Sequence, residues 1–498
     1  MTNRRNFLAG VASSGWTALI GLLAVPWYIR YLGIEAYGMI GVYLTLQGIF
    51  ALLDMGLSPT VSREVARSMV AGTMPYARNL VHSMSILFVV SGAIMAASLA
   101  VLAPWIATKW LNSGSLSVDQ ITLALALSAV AVGARWPGTL YIGVLNGAQR
   151  VDLASAVTIA SVTLANVGAV AILMFVEPSL RAFFLWQAVV GALHSLAMRA
   201  AARHAIGGRA TTGFSWAVIK SIWRFSAGMA AVAATGVLFS QIDKIVLMRT
   251  TTLDQIGRYT LATALAGILY RLVTPAFNVV YPRLSGLFES GSIADLSRQY
   301  HGFTRRFLTI IFPIAMFLIV CSHSLLSVWV RDPNIVDQTA IIVILLSIGT
   351  AIHCVMYFPY ALQISCGMTS VPLSINILLS LIFLPAVFAL SSYMGATGAA
   401  IAWVVLHSFY FILGTYLTDK YVLPGQGWLW VLHGVGPPLV ISVGFGFAAI
   451  TIMPIVGSDV SRILLGGAFM LSALVTGSLM LPEGRMMVKW AASRMIQR

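Results

Sequence analysis

The chain has 498 residues, of which 59% are hydrophobic and only 9% charged, and its net charge is +15. Soluble domains carry about 25% charged residues, so this composition excludes an ordinary soluble enzyme or binding module. The basic balance does not require nucleic acid as a partner, because the bases cluster at the ends of apolar runs, as they do in a membrane protein with a basic inner face.

About 20 apolar residues cross the hydrocarbon layer. Fourteen segments meet that length: 7–31, 38–58, 80–105, 119–145, 153–176, 181–200, 222–247, 257–281, 307–330, 338–363, 372–392, 398–418, 429–453 and 460–480. An all-α polytopic membrane protein is expected, with no separate soluble domain. The first segment opens with Arg4-Arg5-x-Phe7-Leu8, a pattern shared with cleaved twin-arginine export signals. Its apolar run continues to Tyr31 and thirteen spans follow, so it reads as a first membrane helix whose arginines hold its start in the cytoplasm. Cys321, Cys354 and Cys366 are odd in number and form no CxxC pair. They suggest neither a disulfide framework nor a metal site, and no cofactor is expected.

With the N-terminus inside, the inner segments carry nineteen Lys and Arg against six Asp and Glu, whereas the outer segments carry seven of each. This asymmetry follows the positive-inside rule, places both termini in the cytoplasm and sets the inner face against anionic membrane lipids.

The chain also repeats itself. YLGIEAYGMIGVYLTL (31–46) aligns with RTTTLDQIGRYTLATA (249–264), bringing Gly38 onto Gly257 at an offset of 219, which also brings Trp110 onto Trp329. LNGAQRVDLAS aligns with SCGMTSVPLS at an offset of 220. Six spans separate the copies, and an even number leaves both halves in one orientation, related by an axis along the membrane normal. The expected organisation is a six-helix lobe at 1–210, its repeat at 211–420, and two further helices with a basic tail at 421–498.

Three stretches carry a family resemblance: PWYIRYLGIEAYG, ALLDMGLSPTVSREVA and SQIDKIVLMRTTTLDQIGRYTLA. They resemble the polysaccharide-exporter flippases, of the superfamily that also holds the MATE multidrug exporters and the lipid II flippases. The shared features are an LG-x-x-x-YG turn (Leu32, Gly33, Tyr37, Gly38), an LD-x-GL helix end (Leu53, Asp54, Gly56, Leu57), and an Asp-Lys pair followed by I-G-x-Y (Asp243, Lys244, Ile256, Gly257, Tyr259). The resemblance covers about residues 5–420. It implies a bacterial inner-membrane protein that moves an isoprenoid-pyrophosphate-linked oligosaccharide to the periplasmic leaflet in exchange for a coupling cation, H+ or Na+, alongside polysaccharide polymerase and assembly machinery. The first helix lacks the Arg-Asp pair with which lipid II flippases characteristically open: Ser13 to Thr17 is uncharged.

Six ionisable residues fall inside spans: Asp54, Arg135, Arg224, Asp243, Lys244 and Arg271. Intramembrane charges are costly, so they face a bundle interior or a watery cavity. Arg135 and Arg271 each precede a proline, Pro137 and Pro275. Their guanidinium forks suit bidentate donation to phosphate oxygens, although each could instead tie neighbouring helices together. Asp243 and Lys244 are adjacent and so point about 100° apart on a helix, which disfavours a mutual pair. Asp243 is the candidate ion-responsive carboxylate and Lys244 a candidate substrate contact. Asp54 is either an ion-coupling group or a helix-end cap, and His353 a further titratable candidate.

Two alternatives share the fold, a cation-coupled multidrug exporter and a lipid II flippase. The interior sum of four bases against two acids disfavours a cavity for cationic drugs. A membrane polymerase or ligase needs a substantial outer loop for its catalytic groups, and no outer loop here exceeds about a dozen residues.

Overall fold

The computed structural model describes residues 2–481, apart from 53, 55, 209–212, 218 and 221–240. Twelve helices among the described residues are long and apolar enough to cross a membrane. The expected count of fourteen spans differs from this in two places. Span 222–247 lies largely outside the described residues, with only its end, helical at 241–250, in view. Spans 372–392 and 398–418 are joined in one hydrogen-bonded run, Ser370–Tyr421.

In chain order the helices are α1 (Thr2–Leu32), α2 (Ile34–Leu52), α3 (Leu57–Ala71), α4 (Met74–Lys109), α5 (Val118–Arg135), α6 (Pro137–Gly147), α7 (Val151–Phe175) and α8 (Leu180–Ala205). Then come α9 (241–250), α10 (Leu253–Ala266), α11 (Ile268–Glu289), α12 (Ile293–Val320), α13 (Ser322–Val330), α14 (Pro333–Ser365) and α15 (Ser370–Tyr421). The last are α16 (Gly427–Trp430), a π-turn at Val431–Val435, α17 (Gly436–Ile452) and α18 (Asp459–Leu479). A bilayer leaves the backbone no water to bond with, so continuous helix is the expected solution.

At 1.5 Å per residue, α15's 52 residues would extend about 78 Å if straight, against a hydrocarbon core of about 30 Å. Gly395 resolves the excess. Its backbone (φ 59, ψ −139) is open to glycine and strained for other residues, and it kinks the run there. Two helices therefore meet at a kink here, which falls between the two expected spans. Another departure is α12, which starts fourteen residues before the expected span 307–330 and ends at Val320, with α13 as a separate helix. Arg298, Arg305 and Arg306 thus lie within the first half of this helix rather than in a loop.

Polar side chains fix the helix ends. Ser117 and Gln120 form a reciprocal capping box on α5, Ser179 caps α8, and Asp332 accepts from the N–H groups of Asn334 and Ile335 at the start of α14. Between the ends the surface is apolar. On α4 alone Val89, Val90, Ile94, Val101, Leu102 and Trp105 are exposed, a continuous oily strip that water would not tolerate and lipid would solvate.

The chain divides into two compact units, Met1–Gly257 and Arg258–Arg498. Each has its own core. In the first, Val61, Val65, Leu80, Met84, Phe88, Trp136 and Leu140 pack together; in the second, Leu269, Val273, Leu308, Cys354, Phe358 and Trp430 do so. In the second unit, α17 and α18 lie on α12 through small residues: Gly446 faces Met316, Gly466 faces Cys321 and Gly477 faces Thr309. Helix starts recur along the chain at 34 and 253, 74 and 293, and 151 and 370, each pair 219 apart. The glycines just before the second pair, Gly72 and Gly291, have φ of 70° and 72°.

Candidate functional site

Arg135 is the last residue of α5, and Pro137 is the first of α6. Proline has no N–H for the preceding turn, so the helix breaks beside the arginine. The side chain is half-buried. Its charge acts on Tyr43 of α2 and on buried His194 of α8, whose Nδ1 lies 3.1 Å from Ser161 Oγ. Gly191 lets α8 pass close, since a Cβ there would sit 3.4 Å from that of Arg135. Arg135 makes no hydrogen bond or ion pair among the described residues. A guanidinium in this setting retains its full fork for an anionic guest.

The expectation that Asp243 and Lys244 cannot pair is corrected. Lys244 Nζ lies 3.3 Å from Asp243 Oδ1, with side-chain exposures of 26% and 3%. The Cα–Cβ directions do diverge, but four flexible methylenes let the ammonium fold back over its neighbour. The helix carrying the pair packs on α2, where Gly48 makes room for the Gln241 side chain. Gly48 lies five residues beyond Tyr43, the α2 residue on which the Arg135 charge acts, about 7.5 Å along the axis. Arg224 lies outside the described residues.

Asp54 sits at the start of α3. Its carboxylate accepts from the Ser58 N–H at 3.2 Å and from the Ser58 hydroxyl at 2.6 Å, satisfying a donor that the first helical turn leaves open. Asp54→Asn keeps an acceptor for that N–H, so its unfolding temperature is expected to match the wild type. Asp54→Ala is expected to cost about 1 kcal/mol of stability, read as a lower unfolding temperature. An unfolding temperature of Asp54→Ala equal to the wild type would show that the cap carries no stability.

In the second unit, Arg271 is exposed near the middle of the apolar stretch Leu253–Glu289 and makes no hydrogen bond or ion pair among the described residues. Asn278 and Pro282 share its exposed face, while Leu269, Val273, Val280 and Leu284 turn into the core. A charge at that depth needs water or a polar guest rather than lipid. The preceding residue, Tyr270, points the other way: its hydroxyl oxygen lies 2.6 Å from His353 Nδ1. His353 also packs against His407, with ring centroids 4.4 Å apart, and against Tyr357 and Tyr410. Trp403 flanks both histidines and fits because Gly349 has no side chain.

His407, Trp403 and Tyr410 were not anticipated. The available signal was their spacing of four and three residues, which places a histidine and two aromatics on one helical face. Among the sequence-derived candidates, Asp54, Arg135, Asp243 and Lys244 lie in the first unit, and Arg271 and His353 in the second.

A further feature of the first unit joins α2, the α4–α5 loop and the start of α10. Glu35 accepts from the N–H groups of Gly114 (2.7 Å) and Ser115 (2.9 Å) and from the Ser115 hydroxyl. The Leu253 N–H donates to Asn112 O at 2.8 Å. Gly38 packs on the Leu253 carbonyl and Gly257 on the Ile34 carbonyl, so closely that a Cβ at either position would fall inside 3.0 Å. The contact is reciprocal, because 34 and 253, like 38 and 257, are 219 apart.

Comparison with known proteins gives the following. The model of a family described as polysaccharide biosynthesis protein matches residues 4–288. A Shigella flexneri protein named "Putative O-antigen transporter" is 22% identical over 399 residues, covering 78% of this chain and 91% of its own. Among solved structures, the lipid II flippase MurJ in an inward closed conformation has a TM-score of 0.72 at 11% identity, covering 95% of this chain and 99% of its own. A multidrug resistance MATE family transporter of the MOP superfamily, inward-facing, has a TM-score of 0.67 at 15% identity, covering 81% of this chain and 95% of its own.

Proposed function

Because this chain belongs to the polysaccharide biosynthesis protein family, we propose that it is a flippase for isoprenoid-pyrophosphate-linked oligosaccharide repeat units. It is a multi-pass membrane transporter with the MOP-superfamily fold, not an enzyme. In this reading it lies in the bacterial inner membrane with both termini in the cytoplasm, and carries each unit to the periplasmic leaflet for surface polysaccharide assembly.

The observation that carries the substrate class is the match to the Shigella flexneri O-antigen transporter along most of both chains. The interior chemistry agrees with it. Arg135 and Arg271 hold no carboxylate among the described residues, and two unneutralised guanidiniums at membrane depth suit a pyrophosphate better than a cationic drug. The recurrence of helix starts supports two lobes at 1–210 and 211–420, with 421–498 appended. In this reading Asp243 and His353 are the groups through which a cation, H+ or Na+, would be coupled, and Lys244 contacts the substrate phosphate. Inward movement of one charge across 100 mV supplies about 2.3 kcal/mol toward export.

Depletion of the protein in its native host tests the reading. Lipid-linked repeat units are expected to accumulate in the inner leaflet while surface polysaccharide falls. Unchanged unit levels and polysaccharide, together with increased drug sensitivity, would replace this function with multidrug export. Accumulation of lipid II instead would identify a peptidoglycan-precursor flippase.

A further inference from the structure

The first unit holds a cavity of about 170 Å3 away from Arg135 and Asp243, and two helices face each other across it in the same register. From α4 come Arg78, Val81, His82 and Ser85; from α8 and its end come Arg199, Ala202, Arg203 and Ile206. Both sets follow the i, i+3, i+4, i+7 pattern of a single helical face. Tyr141 of α6, almost wholly buried, closes another side, and Gly208 forms an exposed rim.

No Asp or Glu is among the described residues that line it. Three guanidiniums and an imidazole therefore converge on one hollow that no carboxylate lines among the described residues. Arg78 spends one donor, Nε to Ile206 O at 3.0 Å, which caps α8 and holds the arginine at the wall; its other four N–H donors make no further bond among the described residues. Arg199 makes no hydrogen bond or ion pair among the described residues. The α8 dipole explains a base in its last turn, such as Arg203, but Arg199 stands six residues before Ala205, beyond that effect's reach. The positive-inside rule accounts for bases at this end of the unit but not for their convergence around a cavity. A space of about 10–15 Å3 on this scale admits one water, so 170 Å3 admits a polyatomic anion.

We propose that this cavity is an anion site that takes a phosphate group, carried either by a lipid of the inner leaflet or by a soluble phosphate compound. Arginine forks with a histidine and a tyrosine hydroxyl supply the planar, multidentate donors that phosphate oxygens accept. The site is independent of the transported substrate. The charge distribution puts it at the cytoplasmic end, where both sources are present.

The test uses the purified full-length chain. One arm measures retention of phosphatidylglycerol against phosphatidylcholine by native mass spectrometry from mixed nanodiscs; the other measures thermal stabilisation by inorganic pyrophosphate in phosphatidylcholine alone. Arg199→Gln and Arg203→Gln are each expected to weaken binding about tenfold. Arg298→Gln, at a solvent-exposed pair with Asp295, is expected to leave it unchanged. A loss confined to the lipid arm assigns a headgroup, and a loss confined to the pyrophosphate arm assigns a soluble ligand. Should Arg199→Gln fail to fold, Arg199→Lys, which keeps the charge but not the fork, must still bind more weakly. If neither probe binds, or if the cavity variants match Arg298→Gln, the proposal is wrong.

Discussion

Gly38→Ala is expected to abolish most transport, and Gly257→Ala to do the same. At both positions the new methyl would fall inside 3.0 Å of a backbone carbonyl, that of Leu253 or of Ile34. A flexible side chain can swing out of the way of such a contact. A helical carbonyl moves only if its helix moves. Overpacking of this kind costs about 1–3 kcal/mol, a shift of about 5–150-fold in the population of the packed arrangement. In the proposed orientation, with both termini in the cytoplasm, this contact lies at the outer end, so the substitutions are expected to open that end. The readout is faster reaction of a cysteine placed at Ser115 with a membrane-impermeant maleimide, in a background lacking Cys321, Cys354 and Cys366. Gly15→Ala and Gly21→Ala serve as controls, because a Cβ at either meets nothing within 4 Å. If Gly38→Ala transports and labels like Gly15→Ala, the close approach has no part in the cycle.

The same glycines show what sequence reasoning reached and where it stopped. Gly38 and Gly257 were identified as equivalent positions of a repeat, which is a statement about periodicity. That they rest against each other's helices is a statement about tertiary packing, and no one-dimensional pattern encodes it. The spans themselves were readable because lipid demands continuous apolar helix. Pro137 offered a signal for the break at Arg135, but proline alone does not decide it, since Pro275 and Pro282 lie inside α11. Gly395 was not readable, since a kink without a loop leaves no polar stretch to mark it. The start of α12 was missed because Arg298, Arg305 and Arg306 looked like a loop, whereas a helix emerging from the bilayer carries bases in its first half equally well.

Among the candidate residues, those whose surroundings are local were the easiest to anticipate. Asp54 finds its partner four residues away, at Ser58, within the helix start that its neighbours already announced. Lys244 reversed its expectation because backbone direction was weighed and side-chain length was not. His353 was found but its setting was not: Tyr270 is 83 residues away, and His407 is on α15. The missing half of that cluster lay on a helix where a lone histidine gave no reason to choose it.

Arg135→Gln and Arg271→Gln should each reduce export about 10–100-fold while membrane insertion and thermal stability stay close to wild type. The separation of the two effects follows from the surroundings of each residue. Removing one member of a buried ion pair strands its partner and costs several kcal/mol of stability, but neither arginine has such a partner among the described residues. Their loss therefore falls on whatever anion they bind. A hydrogen bond to a charged group contributes about 1.5–3 kcal/mol, which converts to about 10–150-fold in affinity. Lysine at either position keeps the charge without the planar fork, so Arg135→Lys should recover part of the activity and Gln none. Transport of lipid-linked repeat units into the outer leaflet of proteoliposomes is the direct measurement, with unfolding temperature taken on the same preparations. Wild-type export by Arg135→Gln, or a fall in stability matching the fall in export, would make the arginine a packing residue and remove the chemical basis for pyrophosphate recognition there.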